Sequence, residues 1–127
     1  MAFANFNTTA NTGSAADTAN PDGDSWTNVQ EYIFGTIPTA ANSGAILFAA
    51  SLGTNITLTF AAVQATGPGY TGLTRYYDVE TTTNLADVAS WTGVAGYTNI
   101  VGANQTVTVP QTIAGGPRFY RLKVRLQ

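Results

Sequence analysis

The stretch Phe119-Tyr120-Arg121-Leu122-Lys123-Val124-Arg125-Leu126 decides the fold. Its period is two. Tyr120, Leu122, Val124 and Leu126 fall on one face, and Arg121, Lys123 and Arg125 on the other, which is how a strand with one buried face reads. Working back through the chain, the same alternation recurs. In residues 105–110 Val107 and Val109 alternate with Thr106 and Thr108. In residues 76–83 Tyr77 and Val79 alternate with Asp78 and Glu80, and in residues 55–60 Ile56, Leu58 and Phe60 alternate with Thr57 and Thr59. Residues 45–52 (AILFAASL) add an apolar run of strand length. Glycine-rich turns at 66–72, 92–96 and 114–117 separate the runs. Several short strands divided by such turns predict a mainly β chain, an antiparallel β-sandwich of jelly-roll or immunoglobulin-like type, with a barrel as the other closure. The cations of the last strand have two readings. One is an edge strand guarded against mispairing; the other is a face for an acidic partner or a neighbouring subunit.

Upstream of the strands, residues 17–38 carry the one helical signature. Ser25 is a candidate cap. Trp26, Val29 and Ile33 follow at helical spacing and predict an apolar stripe turned toward a core. Gly35 is a natural left-handed stop, and Pro38 forbids continuation. The helix is about ten residues or fewer, too short to stand alone, so the body, an ion or both must hold it. Before it, residues 1–16 show no sustained period. They read either as a flexible arm or as an extended arm docking on another subunit through Phe3 and Phe6. The chain thus divides into an extended arm (1–16), a loop with a short helix (17–38) and a sandwich (39–127), with 17–127 as one compact domain. Its 127 residues are enough to bury a core without a disulfide.

Composition narrows the function. Hydrophobic residues make up 44% of the chain, but charged residues only 9%, and the net charge is −2. Cysteine and histidine are absent. Thiol catalysis, every histidine-based triad and the usual zinc ligand sets are excluded with them. Carboxylate, hydroxyl and carbonyl oxygens remain, a donor set that suits a hard cation such as calcium. Five basic residues cannot form a nucleic-acid surface, and no apolar run approaches a membrane span.

The acids are concentrated: Asp17, Asp22, Asp24 and Glu31 fall within fifteen residues. Numbered from Asn20, oxygen-bearing side chains occupy loop positions 1 (Asn20), 3 (Asp22), 5 (Asp24), 9 (Asn28) and 12 (Glu31). This is the calcium-loop spacing in which alternate residues turn oxygens inward and a glutamate returns from the helix. Trp26, at position 7, would offer its backbone carbonyl, and Asp17 is an upstream carboxylate in reserve. Two positions depart from the pattern. Asn20 replaces an aspartate, and Ser25 stands where glycine permits the sharp turn. A solvated acidic turn before a capped helix is the alternative, but three or four carboxylates in one loop repel one another unless a cation joins them.

The run NPDGDSWTNVQEYIFGTIPT (residues 20–39) resembles the calcium loop and helix of thrombospondin type 3 and dockerin repeats, in the form common in secreted bacterial proteins. The runs RYYDVETTTNLADVASW and RFYRLKV are similar to a β-rich module that often follows such a loop near the C-termini of exported bacterial proteins. What the resemblance implies is an extracellular location, calcium-dependent stability, a non-catalytic role, and Asp22, Asp24, Asn28 and Glu31 as ligands with Asn20 at a usual aspartate. The near-neutral Thr/Asn/Ala surface predicts in addition a structural protein that associates with itself into a filament, tube or layer. The alternative is a polysaccharide-binding module presenting Tyr70, Trp91 and Tyr97. A glycosidase would need two carboxylates across a cleft. Asp78 and Glu80 share a strand face, but nothing else catalytic accompanies them, and the chain reads as no enzyme.

Overall fold

In the computed structural model, which describes residues 5–41, 43 and 47–127, seven strands form two antiparallel sheets beside a short α-helix, and Asn5 and Phe6, in the stretch expected as an extended arm, are helical as well. The strands are β1 (Phe48–Leu52), β2 (Asn55–Ala62), β3 (Arg75–Thr82), β4 (Thr92–Gly93), β5 (Ile100–Val101), β6 (Gln105–Thr112) and β7 (Phe119–Leu126). The first sheet runs β1-β2-β6. The second is built around β3, with β7 on one side and β4 and β5 on the other. The β1–β2 hairpin closes through the two residues Gly53 and Thr54, with Gly53 at φ 61°. Phe3, the outer anchor expected of the arm, lies outside the described residues.

The expected alternation sets the two faces. Leu58, Phe60, Ala62 and Val109 of the first sheet meet Tyr77 and Val79 of the second, with Val94 from the loop after β4, and all are buried. Tyr120, Leu122 and Val124 close over this core from β7. This is a sandwich core fed by both inner faces. Tyr77 is buried with its hydroxyl oxygen accepting the Val63 N–H at 2.9 Å, so its one polar atom is satisfied.

Two of the three cations of the last strand meet acids within their own sheet. Arg121 Nε lies 2.6 Å from Glu80 Oε2, Arg125 pairs with Asp78, and both acids sit on the adjacent β3. Arg121 also covers Trp91, its guanidinium carbon 4.4 Å from the ring centre. Asp78 and Glu80, the one acid pair outside the loop, are therefore spent on arginines. The first sheet is different in kind. No charged residue occurs in residues 32–74 or 88–117, so β1, β2 and β6 carry none.

The helix α1 spans Asn28–Phe34 and departs from expectation at its start. Thr27, not Ser25, is the cap residue, and its N–H donates to Gln30 Oε1 at 2.8 Å in the reciprocal manner of a capping box. The expected apolar stripe is also rotated. Val29 is exposed, and the buried positions are Asn28 and Glu31, because the inward side of α1 faces the acidic loop. Trp26 packs edge-on against Phe34, ring centres 4.7 Å apart. Gly35 ends the helix as expected, at φ 78° with its N–H on the Glu31 carbonyl.

One buried side chain ties α1 to the sandwich. Arg75, the first residue of β3, is 1% exposed. Its Nε donates to the Ile33 carbonyl (2.6 Å), Nη2 to that of Tyr32 (3.3 Å), and Nη1 to those of Val63 and Gln64 (both 3.1 Å). A cation at a helix C-terminus is stabilised by the unpaired carbonyls there. Gly35 gives it room: a Cβ at that position would lie 2.5 Å from Arg75 Nη1.

The arm expected over residues 1–16 ends early. Residues 13–15 form a 3-10 turn with Ala15 buried. The Asn28 amide donates to the carbonyls of Ser14 (2.9 Å) and Ala16 (2.7 Å). Residues 13–16 thus belong to the body of the protein, because α1 offers them a donor that a free arm would leave unpaired.

Candidate metal centre

The loop that leads into α1 is folded by its own side chains. Asn20 Oδ1 accepts the Gly23 N–H at 3.0 Å while Asn20 Nδ2 donates to the Asp24 carbonyl at 2.6 Å. Asp24 Oδ1 accepts the Trp26 N–H at 2.7 Å. Gly23, at φ 75°, supplies the left-handed residue that Ser25 cannot. These turns bend the chain so that Asp22 and Asp24 converge on Glu31, one turn into the helix. One carboxylate oxygen from each lies within 4.8 Å of the other two.

The burial of this group is its main property. Glu31 is 0% exposed. Its Oε1 receives weak hydrogen bonds from Thr36 Oγ1 (3.3 Å) and Ser43 Oγ (3.5 Å), whereas its Oε2 is buried with no partner. Asp22 Oδ2 and Asn28 Oδ1 are likewise buried and unpartnered. Because both described hydrogen bonds of the Asn28 amide are donated from Nδ2, its orientation is fixed with the oxygen left over. Among the described residues no arginine or lysine pairs with Asp22, Asp24 or Glu31. Burial, then the charges of Asp22 and Asp24, raise the Glu31 carboxyl above its ordinary value.

Of the residues expected to hold a metal, Asp22, Asp24 and Glu31 are brought together, and Asn28 stands on the helix face that carries Glu31. Asp17 is not brought in: its Oδ2 accepts from the Asn11 amide at 2.9 Å, outside the acidic group. Asn20 is used as the brace of the loop, and Trp26 contributes its N–H to Asp24. Sequence reasoning missed Thr36 and Ser43. The signal for Thr36 was local, since a left-handed Gly35 turns the chain back and places the Thr36 N–H on the Glu31 carbonyl at 3.0 Å.

The three aromatic residues expected to present rings to a sugar are engaged elsewhere. Tyr70 stacks on Tyr32 with ring centres 4.6 Å apart, and the Arg75 guanidinium lies 5.1 Å from its ring centre. Trp91 sits under Arg121. Tyr97 packs against the hydrophobic core.

The donors are uniformly hard oxygens, three of them anionic, which is the chemistry of calcium or magnesium rather than of zinc or copper. Compared with family models, with curated proteins and with solved structures, the chain finds no match in any of the three.

Proposed function

We propose that this chain is a calcium-stabilised structural module, with the ion held between Asp22, Asp24 and Glu31 and joined by the Asn28 amide oxygen. The observation that carries the reading is Glu31: a wholly buried carboxylate with an unpartnered oxygen, beside two further acids and, among the described residues, no arginine or lysine paired with them. Leaving such a group charged and unpaired costs more than an ordinary lost hydrogen bond. A bound divalent cation satisfies all of its open lone pairs at once. Calcium is favoured over magnesium because the donors come from an irregular loop and one helix face, and calcium accepts six to eight oxygens in irregular geometry.

The role in this reading is mechanical. The ion clamps the loop to the side of α1, and Arg75 clamps the end of α1 to β3, so a seven-residue helix is held from both sides. An extracellular setting is part of the same proposal, where a site with a dissociation constant of about 10⁻⁴–10⁻³ M, as extracellular modules have, would be filled. Self-association into an extended assembly belongs to it too, and its support is the charge-free first sheet. The polysaccharide-binding alternative has less behind it, because Tyr70 and Trp91 are already covered.

Isothermal titration of metal-stripped protein tests the reading. One calcium should bind per chain, with magnesium much weaker. No heat and no uptake at millimolar calcium would overturn it.

A further inference from the structure

The strand β1 is unlike the other strands. It pairs with β2 along one edge only, and among the described residues nothing pairs with its other edge. All five of its residues are exposed, Phe48 at 64% and Leu52 at 85%. An open edge is a template for another strand, and proteins blunt such edges with charge, proline or a bulge. β1 has no charge and no proline. The two other long edge strands do carry such devices: β7 has Arg121, Lys123 and Arg125, and β6 has Pro110 in mid-strand, opposite Thr57. Proline has no N–H, so it is tolerated in a sheet where its nitrogen faces an open edge, and a strand arriving at β6 would find a donor missing there.

We propose that β1 is the docking edge for a second copy of this chain, which adds its own β1 antiparallel about a twofold axis at Ala50. The strand is complementary to itself. In the register centred on Ala50, Phe48 of one copy faces Leu52 of the other, Ala49 faces Ser51, and Ala50 faces its twin. Phe48, Ala50 and Leu52 share the outer face, as their partners Thr59, Thr57 and Asn55 on β2 show. The pairing therefore places both large exposed side chains in two identical Phe–Leu contacts, the kind of cross-strand pair that stabilises a sheet. A twofold contact brings each residue near its own copy, where any charge would meet its like. Here the residue on the axis is alanine, and the whole sheet is uncharged. The product is a six-stranded sheet in the order β6-β2-β1-β1-β2-β6. A five-residue pairing is a small interface, below about 1,200 Å² in total, so the dimer is weak and depends on concentration. The contact closes on itself, and an extended assembly would need a second surface. This inference rests on the self-association part of the proposed function and not on its metal.

Sedimentation velocity over a concentration series, with calcium and with EGTA, tests it. Wild type should show a rising dimer fraction in both. Leu52→Lys should weaken dimerisation by roughly tenfold or more, with an unchanged melting temperature because Leu52 is exposed. Thr108→Lys, on the outer face of β6, should leave it unchanged. The chain has no cysteine, so Ala50→Cys is a clean probe. Residues directly opposed in antiparallel strands lie within disulfide reach, and mild oxidation should link two copies through Cys at this position, whereas Ala61→Cys on β2 should stay unlinked. A dimer that survives Leu52→Lys, or that Ala50→Cys fails to link, uses another surface and overturns the edge pairing while self-association stands. A wild type that stays monomeric throughout but still binds calcium overturns the pairing and the self-association, and leaves the metal reading intact.

Discussion

Replacing Glu31 by glutamine separates the proposed role of this residue from ordinary core packing. The change keeps shape and removes one charge. In metal-free protein the variant should be at least as stable as wild type, because it deletes a buried carboxylate that Asp22 and Asp24 repel. With calcium the order should reverse. A ligand at a hundred times its dissociation constant stabilises the folded state by about 2.7 kcal/mol. For 127 residues the unfolding entropy near the midpoint is about 0.27 kcal/mol/K, so wild type should gain about 10 °C in Tm. Disturbing even the groups that orient a metal's ligands weakens binding by about 10- to 100-fold. A hundredfold loss leaves the variant about 0.4 kcal/mol and under about 2 °C of gain. Differential scanning calorimetry with and without calcium reads both arms. Equal calcium shifts in the two proteins would refute the reasoning, and so would a metal-free variant much less stable than metal-free wild type.

The pH dependence follows from the same carboxyl. A raised folded pKa means that the folded state holds the Glu31 proton more tightly than the unfolded chain does. In this respect metal-free protein should gain stability as pH falls through that folded pKa and lose it as pH rises. Calcium needs the carboxylate, so the calcium-dependent rise in Tm should shrink as pH falls toward that folded pKa; an increment that stays constant down to acid unfolding would count against Glu31 as ligand. Arg75→Met should remove four hydrogen bonds made by a buried guanidinium and cost more than about 3 kcal/mol by urea unfolding, with or without calcium; a loss below about 1 kcal/mol would show that the clamp is idle. Gly35→Ala should cost about 2 kcal/mol, from the left-handed backbone and the collision with Arg75. Gly53→Ala, with the same sign of φ but open space around it, should cost less; equal losses would mean that the approach to Arg75 does not matter.

The long strands were legible because each carries enough residues to show a period of two, but that period fixes faces and not partners, so the pairing of β7 with β3 was not legible. β4 and β5, two residues each, carry no period and could not be read. The stop of α1 was legible in Gly35 and Pro38, each a local backbone constraint. Its orientation was not. Apolar spacing pointed to Trp26, Val29 and Ile33, whereas the buried side is polar, and a pattern of hydrophobic residues cannot reveal a helix whose inward face carries Asn28 and Glu31. Loop spacing pointed to Asp22, Asp24 and Glu31, which the fold brings together, whereas Asp17, held in reserve from upstream of the loop, is taken by the Asn11 amide, a partner outside the motif. Arg75 was invisible for a different reason. Its partners come from residues 32–33 and 63–64, and only the folded chain brings them together.

The most direct measurement is crystallography of the protein grown in calcium, with an anomalous difference map at long wavelength. The account predicts one peak inside the loop, with oxygens of Asp22, Asp24, Asn28 and Glu31 at about 2.3–2.6 Å from it. A map without that peak at saturating calcium, with Glu31 bonded to water or to protein alone, would contradict it.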